Sequence, residues 1–290
     1  MLPSLSTTTP GGGRPRSVPE LLDQGLRLYL DHFGALFVIP LLAGLIGWVL
    51  VFTGHRVPVA LPPQAPALFR NLAGGGGFAP PIWGSLLSAA VTLLGWATLL
   101  FLAGRAAAGL ALPPLPQAAA AGLRRLWPLL VTSLVVGLVG AVGVVLLIVP
   151  GVFFLTRWTV APVLAVVEER RASTALGRSY ALVRGLFWHT LGASFLGSLV
   201  SGVALLALTV VGLFLAPLHG ALGLELRALW QVGASALVGP YVPCVLVLLA
   251  ADLRARKEGS DLGGSDLGGS DLGGSDLGGS DGAGAAWPRP

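Results

Sequence analysis

Charged side chains are scarce in this sequence of 290 residues. Asp, Glu, Lys and Arg make up 11% of it, 54% is hydrophobic, and the mean hydropathy is +0.81. Soluble domains carry about 25% charged residues, so this chain has too few to cover a water-exposed surface, which excludes an ordinary soluble enzyme. A wholly disordered chain would be polar or highly charged and is also excluded. The composition predicts an α-helical integral membrane protein.

Cysteine is nearly absent, and no collagen-like period is present. The single cysteine, Cys244, rules out a disulfide within the chain, and its apolar neighbours predict a small buried side chain. Glycine and proline are abundant, at 42 and 22 residues, but they follow no G-X-Y pattern. A collagen-like triple helix is therefore excluded.

Motifs for catalysis or metal binding are missing as well. There is no P-loop and no G-x-S-x-G sequence, and the four histidines form no H-E-x-x-H pattern. The pair Glu168-Glu169 lies beside Arg170-Arg171, which favours a solvated, mutually paired cluster over a catalytic pair. We therefore expect no enzyme activity, no catalytic, cofactor-binding or metal-binding residue, and no cofactor.

Six long apolar segments are present, and a helix needs about 20 residues to cross the hydrocarbon core. Strands of a membrane barrel would be about ten residues long and would alternate apolar with polar residues, which these segments do not. The fourth segment is the weakest because it is short and contains Arg157. Pro150-Gly151 predicts a tight turn between the third and fourth segments. The predicted spans are residues 34–53, 83–104, 128–149, 152–167, 190–215 and 229–250.

The regions outside these spans are polar or rich in glycine and proline. Residues 1–17 are predicted to be a disordered N-terminus, and residues 54–82 a long loop. Residues 258–290 contain S-D-L-G-G repeats, whose period fits neither a helix nor a strand. We expect a disordered acidic tail there. The helical membrane domain is therefore assigned to residues 18–257.

Basic residues are distributed unequally between the two sides of the predicted bundle. Fourteen lie on the side that holds both termini, and three lie on the other side, namely Arg56, Arg70 and Arg227. Because cytoplasmic loops carry the excess of Lys and Arg, we expect both termini in the cytoplasm. The predicted location is a bacterial inner membrane.

Three stretches on this basic side have an amphipathic pattern and lead into a span. Each carries apolar residues at i, i+3 or i+4, and i+7, followed by an aromatic residue. This pattern predicts interfacial helices with arginine toward anionic lipid headgroups, so the expected partner is the lipid bilayer and not nucleic acid. The apolar stripes are Leu22, Leu26 and Tyr29 in residues 18–32; Ala119, Leu123 and Leu126 in 115–126; and Leu176, Tyr180 and Val183 in 172–186.

The chain can be divided into three units, each an amphipathic helix followed by a transmembrane hairpin. Internal repeats are common in membrane proteins. The alternative is that any helix entering a membrane from its basic side has this appearance. The predicted fold is thus an all-α, polytopic integral membrane bundle of about six transmembrane helices with cytoplasmic interfacial helices.

The region from Ile148 to Leu191 contains a recognisable set of residues: a P-G turn, an R-W pair in a span, a proline, an acidic end and a following R-S-Y helix. It resembles the membrane domain of bacterial glycerophosphoryl diester phosphodiesterases, which also occurs as stand-alone, YciC-like membrane proteins. The resemblance implies a fold and a membrane location. The matching residues are Pro150, Gly151, Arg157, Trp158, Pro162, Glu168, Arg178, Ser179, Tyr180, Gly185 and Trp188.

The catalytic half of such phosphodiesterases is not in this sequence. Their soluble barrel needs about 250 residues and an H-R-G-type motif, and here His55-Arg56 is followed by Val57. We therefore transfer no phosphodiesterase activity.

Arg157 is the one charged residue inside a predicted span, which by default makes it a candidate functional residue. A structural role would have its side chain extend to the interface or pair with Glu225. The alternative is contact with a substrate.

Three functions remain open. A non-enzymatic membrane module, either a scaffold or a lipid-associated protein, fits best. A small-solute or lipid transporter is the alternative and would need broken helices or a polar midplane site. A lipid-acting enzyme is the least favoured.

Overall fold

The computed structural model describes residues 16–55, 82–146, 148–169, 171–214 and 221–267, and these contain helices and no strand. This confirms the all-α fold. The helices are α1 (Val18–Asp31), α2 (Phe33–His55), α3 (Ile82–Ala107), α4 (Leu115–Leu146), α5 (Ile148–Trp158), α6 (Ala161–Val167), α7 (Ala172–Val183), α8 (Phe187–Leu213), α9 (Ala221–Val238) and α10 (Tyr241–Leu267).

Six segments in the described residues are long and apolar enough to cross a membrane, which agrees with the six predicted spans. The protein is therefore a multi-pass integral membrane protein. Most of the predicted loop, residues 56–81, lies outside the described residues. The segments are Phe33–Val51, Gly84–Ala107, Leu115–Gly143, Val149–Val167, Phe187–Leu213 and Leu226–Lys257.

The fourth and sixth spans are each divided into two helices. The fourth consists of α5 and α6, and the sixth consists of α9 and α10. In both, a proline lies in the first turn of the second helix, at Pro162 and at Pro243. Proline has no N–H, and its ring clashes with the carbonyl group four residues earlier. Those carbonyls belong to Trp158 and Gly239, which lie at the two breaks.

The turn between the third and fourth spans differs from the prediction. Helix α4 ends at Leu146 and α5 begins at Ile148, so Pro150 and Gly151 lie inside the first turn of α5. Proline is tolerated there because the N–H groups of a first turn have no helical partner. Gly151 instead serves close packing, since a Cβ atom on Gly143 would lie 2.7 Å from its Cα atom.

The core is formed by the second spans of the three units. The C-terminal half of α3, all of α6 and the first four turns of α10 contact one another. Their side chains are almost wholly buried. The fully buried examples include Ala97, Leu100, Leu102, Leu164, Val166, Leu249 and Leu253.

The three amphipathic helices, namely α1, residues 115–127 of α4, and α7, pack around this core in a cyclic order. In each amphipathic helix, a small residue contacts the second span of the preceding unit. For the first unit, the preceding unit is the third. A Cβ atom on Gly25 would lie 2.6 Å from Val245. A Cβ atom on Gly122 would lie 2.2 Å from Thr98. Ser179 is hydrogen-bonded to Arg157. This arrangement favours a genuine threefold repeat over an accidental likeness of the three stretches.

The buried face of each amphipathic helix differs in part from the predicted apolar stripe: Tyr29 and Val183 of the predicted stripes are buried, but at most other positions the buried residue is the preceding one. Leu26, Leu123 and Tyr180, all in the predicted stripes, are exposed. The buried residues are Leu21, Gly25 and Tyr29 in α1; Ala118, Gly122 and Arg125 in α4; and Ala175, Ser179, Leu182 and Val183 in α7. The prediction of these faces was thus only partly right, because small residues allow helices to approach closely, whereas large apolar residues can face lipid.

Two domain boundaries also differ from the prediction. Arg16, assigned to the disordered N-terminus, donates its backbone N–H to Asp252 at 2.9 Å. Helix α10 continues to Leu267, into the segment predicted to be a disordered tail, because extending an existing helix is far less costly than nucleating one. Residues 268–290 lie outside the described residues.

Candidate functional site

Ion pairs connect the segment directly after α6 and the middle of α10 to neighbouring parts of the bundle. Glu168 pairs with Arg254 of α10, and Glu169 pairs with Arg125 of α4. The sequence predicted that these glutamates form a solvated cluster with Arg170-Arg171, but Glu168 is largely buried and both have partners distant in sequence. We call this region the charged end; it comprises Arg16, Arg125, Glu168, Glu169, His189, Asp252, Arg254 and Arg256.

Asp252 joins three elements at the charged end, and its side chain is only 1% exposed. Its carboxylate accepts a hydrogen bond from Arg256 Nε at 2.7 Å, and His189 Nε2 lies 3.1 Å away. The backbone of Arg16 binds the same carboxylate, and its carbonyl accepts from Arg256 Nη2 at 2.5 Å. The sequence analysis did not identify Asp252. An acidic residue four positions before an arginine on a helix indicates an ion pair, so the pairing of Asp252 with Arg256 could have been predicted.

Arg125 is fixed in place by contacts on every side. Its Nε donates to the carbonyl oxygen of Val166 at 3.0 Å and its Nη1 to that of Ala121 at 2.8 Å. Nη2 pairs with Glu169, and the guanidinium lies 4.5 Å from the ring centroid of Phe101. A buried cation satisfied in this way is a structural element that positions its neighbours.

Glu169 adopts a backbone conformation that is unfavourable for its residue type. Its φ is +53°, in the left-handed region, which costs of order 1–3 kcal/mol for a non-glycine residue and persists only where the surroundings enforce it. The ion pair with Arg125 supplies that constraint. The carboxylate stays 54% exposed.

A cavity of about 640 Å³ opens beside this ion pair, between α3, α4 and the segment after α6. Its polar wall includes Arg124, which is exposed and forms no ion pair with any described residue. The cavity can therefore accept an anionic group. Its lining residues are Phe101, Gln117, Ala120, Ala121, Arg124, Arg125, Pro128 and Glu169.

Arg157 lies between two aromatic rings. Its guanidinium carbon is 4.9 Å from the centroid of Phe153 and 4.5 Å from that of Tyr180. Its Nε and Nη1 atoms are buried and have no hydrogen-bond partner among the described residues. Cation–π contacts thus hold this side chain. The sequence analysis had proposed that a structural Arg157 would extend to the membrane interface or pair with Glu225, and it did not predict these ring contacts. The side chain of Glu225 lies outside the described residues.

Of the residues that carry the family resemblance, the structure brings Arg157, Ser179 and Tyr180 together. Trp158, the residue after Arg157, contacts Phe154 with the two rings tilted and their centroids 5.4 Å apart. The others are elsewhere: Pro150 and Gly151 in the first turn of α5, Pro162 in that of α6, Glu168 at Arg254, Arg178 on α7, Gly185 in the turn before α8 with φ +87°, and Trp188 exposed on α8.

Among the residues that the structure describes, no group of three or more His, Cys, Asp or Glu side chains is placed to hold a metal ion. Within the described part of the chain, the charged end therefore offers a set of fixed ion pairs, and the adjacent cavity offers the unpaired guanidinium of Arg124. Comparisons with protein-family models, with curated proteins and with solved structures find no match to this chain.

Proposed function

We propose that this protein is a non-enzymatic, lipid-associated module of a bacterial inner membrane, with its charged end in the cytoplasm. One observation carries the proposal. In each amphipathic helix, or directly after it, an exposed arginine lies three or four residues before an exposed apolar side chain. The three pairs are Arg27 with Leu30, Arg124 with Trp127, and Arg184 with Trp188.

These pairs suit the boundary between water and lipid. Trp127 and Trp188 are 71% and 80% exposed, and tryptophan is enriched at the level of the lipid headgroups. Each Arg near an anionic leaflet contributes about 1 kcal/mol of attraction. The resemblance to a phosphodiesterase membrane domain without its barrel agrees with such a role.

The carboxylates at the charged end support a role without catalysis. Glu168, Glu169 and Asp252 each pair with an arginine, so their carboxylates are engaged in holding the fold together.

The experiment measures which lipids surround the protein. We would reconstitute it in nanodiscs of mixed phosphatidylcholine and phosphatidylglycerol, release the belt, and quantify the lipids that remain. The wild type should be enriched in phosphatidylglycerol, and the triple variant Arg27→Gln, Arg124→Gln, Arg184→Gln should lose the enrichment. The control variant Arg56→Gln, Arg70→Gln lies on the opposite predicted side and should keep it. No enrichment in the wild type would refute the proposal.

A second candidate, transport of a lipid or small solute, is favoured by the breaks in the fourth and sixth spans. Transporters often form their sites at discontinuous helices in corresponding positions of internal repeats, and both breaks lie in the second span of a unit. The test is translocation of a fluorescent phospholipid in proteoliposomes, followed by dithionite quenching. Translocation faster than in protein-free vesicles would favour this candidate.

A further inference from the structure

We propose that the cavity beside Arg124 binds the phosphodiester headgroup of one anionic phospholipid that also carries hydroxyl groups, for which phosphatidylglycerol is the probe. This inference rests on the proposed lipid association and names the site and the headgroup chemistry.

The charge of the cavity matches a single phosphodiester. Among the described lining residues, Arg124 and Arg125 contribute two positive charges and Glu169 one negative charge, which leaves a net charge of one positive. Arg125 is already engaged by Val166, Ala121 and Glu169. Arg124 is therefore the cation available to a phosphate, to which a guanidinium can bind through two parallel N–H groups.

Glu169 supplies the preference for a hydroxyl-bearing headgroup. Its Oε1 atom pairs with Arg125, whereas Oε2 makes no hydrogen bond to a described residue. A carboxylate oxygen only accepts hydrogen bonds, so it favours a group that donates. The Gln117 amide, on the same cavity wall, can donate to a phosphate oxygen or accept from a hydroxyl.

The surface next to the cavity fits the acyl chains of the same lipid. The cavity residues of α4 lie on one face of the helix, and the adjacent face is apolar and exposed. It begins at Leu123, which is 62% exposed and precedes Arg124. The exposed residues of this face are Leu123, Trp127, Leu130, Leu134 and Leu138. Because headgroup site and apolar face are contiguous, a lipid fits better than a free phosphate ester.

The first test uses the full-length protein in nanodiscs with phosphatidylglycerol, extracted into mild detergent and delipidated. Native mass spectrometry should find one phosphatidylglycerol retained per chain. Arg124→Gln should lower its retention about fivefold. The control Arg56→Gln removes an arginine on the opposite predicted side, outside the proposed lipid-binding residues, and should retain the lipid. Equal retention in the two variants would overturn the site.

Headgroup selectivity tests the role of Glu169. Phosphatidylmethanol is an anionic phosphodiester without a headgroup hydroxyl, and it should be retained less than phosphatidylglycerol by the wild type. Glu169→Gln keeps the side-chain shape but replaces one carboxylate oxygen by an N–H₂ donor, and it should reduce that preference. Equal retention of both lipids by the wild type would overturn the assignment of Glu169.

A soluble competitor separates a lipid from a free phosphate ester. Millimolar glycerol phosphate should leave the retained phosphatidylglycerol in place, and displacement would identify a soluble ligand and overturn the lipid assignment. The two proposals can fail separately. If the wild type enriches anionic lipid but Arg124→Gln changes nothing, only the cavity site fails; if it enriches no anionic lipid, the lipid-associated function fails.

Discussion

The hydroxyl of Ser179 donates a hydrogen bond to the backbone carbonyl of Arg157 at 2.8 Å. Arg157 is the last residue but one of α5, where a broken helix leaves carbonyl groups without partners. The same relationship recurs at the other broken span. There the Tyr29 hydroxyl donates at 2.7 Å to the carbonyl of Leu237, the last residue but one of α9. Each break is thus satisfied by an amphipathic helix of another unit.

Ser179→Ala should destabilise the protein by about 1–3 kcal/mol, the cost of leaving a buried polar group unsatisfied. Ser179 is fully buried, so water cannot easily replace the hydroxyl. The measurement is unfolding in detergent. Ser173→Ala, at an exposed position of the same helix, is the control and should change stability little. Equal effects would show that the hydrogen bond contributes nothing specific.

Tyr29→Phe should cost about 1 kcal/mol at neutral pH, since it removes one hydrogen bond and keeps the ring. Burial raises the pKa of the Tyr29 phenol to about 12 from 10.0, with a smaller contribution from Cys244. Between these values the folded protein keeps a proton that the unfolded chain has lost, so stability falls as pH rises. The advantage of the wild type over Tyr29→Phe is thus fully present below pH 10.0 and should shrink toward pH 12. A constant advantage would contradict this.

Arg157 and Tyr180 should be energetically coupled by about 1 kcal/mol through their cation–π contact. The measurement is a double-mutant cycle with Arg157→Met and Tyr180→Leu, followed by unfolding in detergent. Tyr180→Phe keeps the ring and should preserve most of the coupling. A coupling energy below roughly 0.5 kcal/mol, within the usual error of additivity, would refute the contact.

Gly122→Ala should destabilise the bundle by about 1–3 kcal/mol through overpacking. Its new Cβ atom would lie 2.2 Å from Thr98 Oγ1 and 3.0 Å from the backbone nitrogen of Thr98. Gly177→Ala is the matched control, because nothing lies within 4 Å of that position on α7. Alanine there should be neutral or stabilising by about 0.5–1 kcal/mol. Similar thermal stabilities of the two variants would contradict the close contact.

The proposed orientation is tested with a reporter that is active only in the cytoplasm. A fusion after Lys257 should be active, and an insertion in the 54–82 loop should be silent, because the basic residues concentrate on the side of the termini. The opposite pattern would reverse the orientation.

The candidate site was only partly predictable. Arg124, Arg125 and Trp127 could be identified as an interfacial cluster from their order in the sequence. The sequence could not show that Arg125 is engaged within the fold while Arg124 forms no ion pair with a described residue. That difference depends on Val166 and Glu169, which are 41 and 44 residues further along the chain from Arg125. Asp252 was missed because its partner His189 is 63 residues away and Arg16 is 236 residues away.

The sequence by itself determined the number and approximate limits of the spans, because transfer of a segment into lipid depends mainly on the side chains within it. It also placed three amphipathic helices before the three hairpins. Only the tertiary structure decided which face of each amphipathic helix is buried, since apolar residues such as Leu123 are equally compatible with lipid and with protein. Helices in lipid associate through steric fit and hydrogen bonds, so contacts such as Gly122 with Thr98 depend on residues that the chain brings together from a distance.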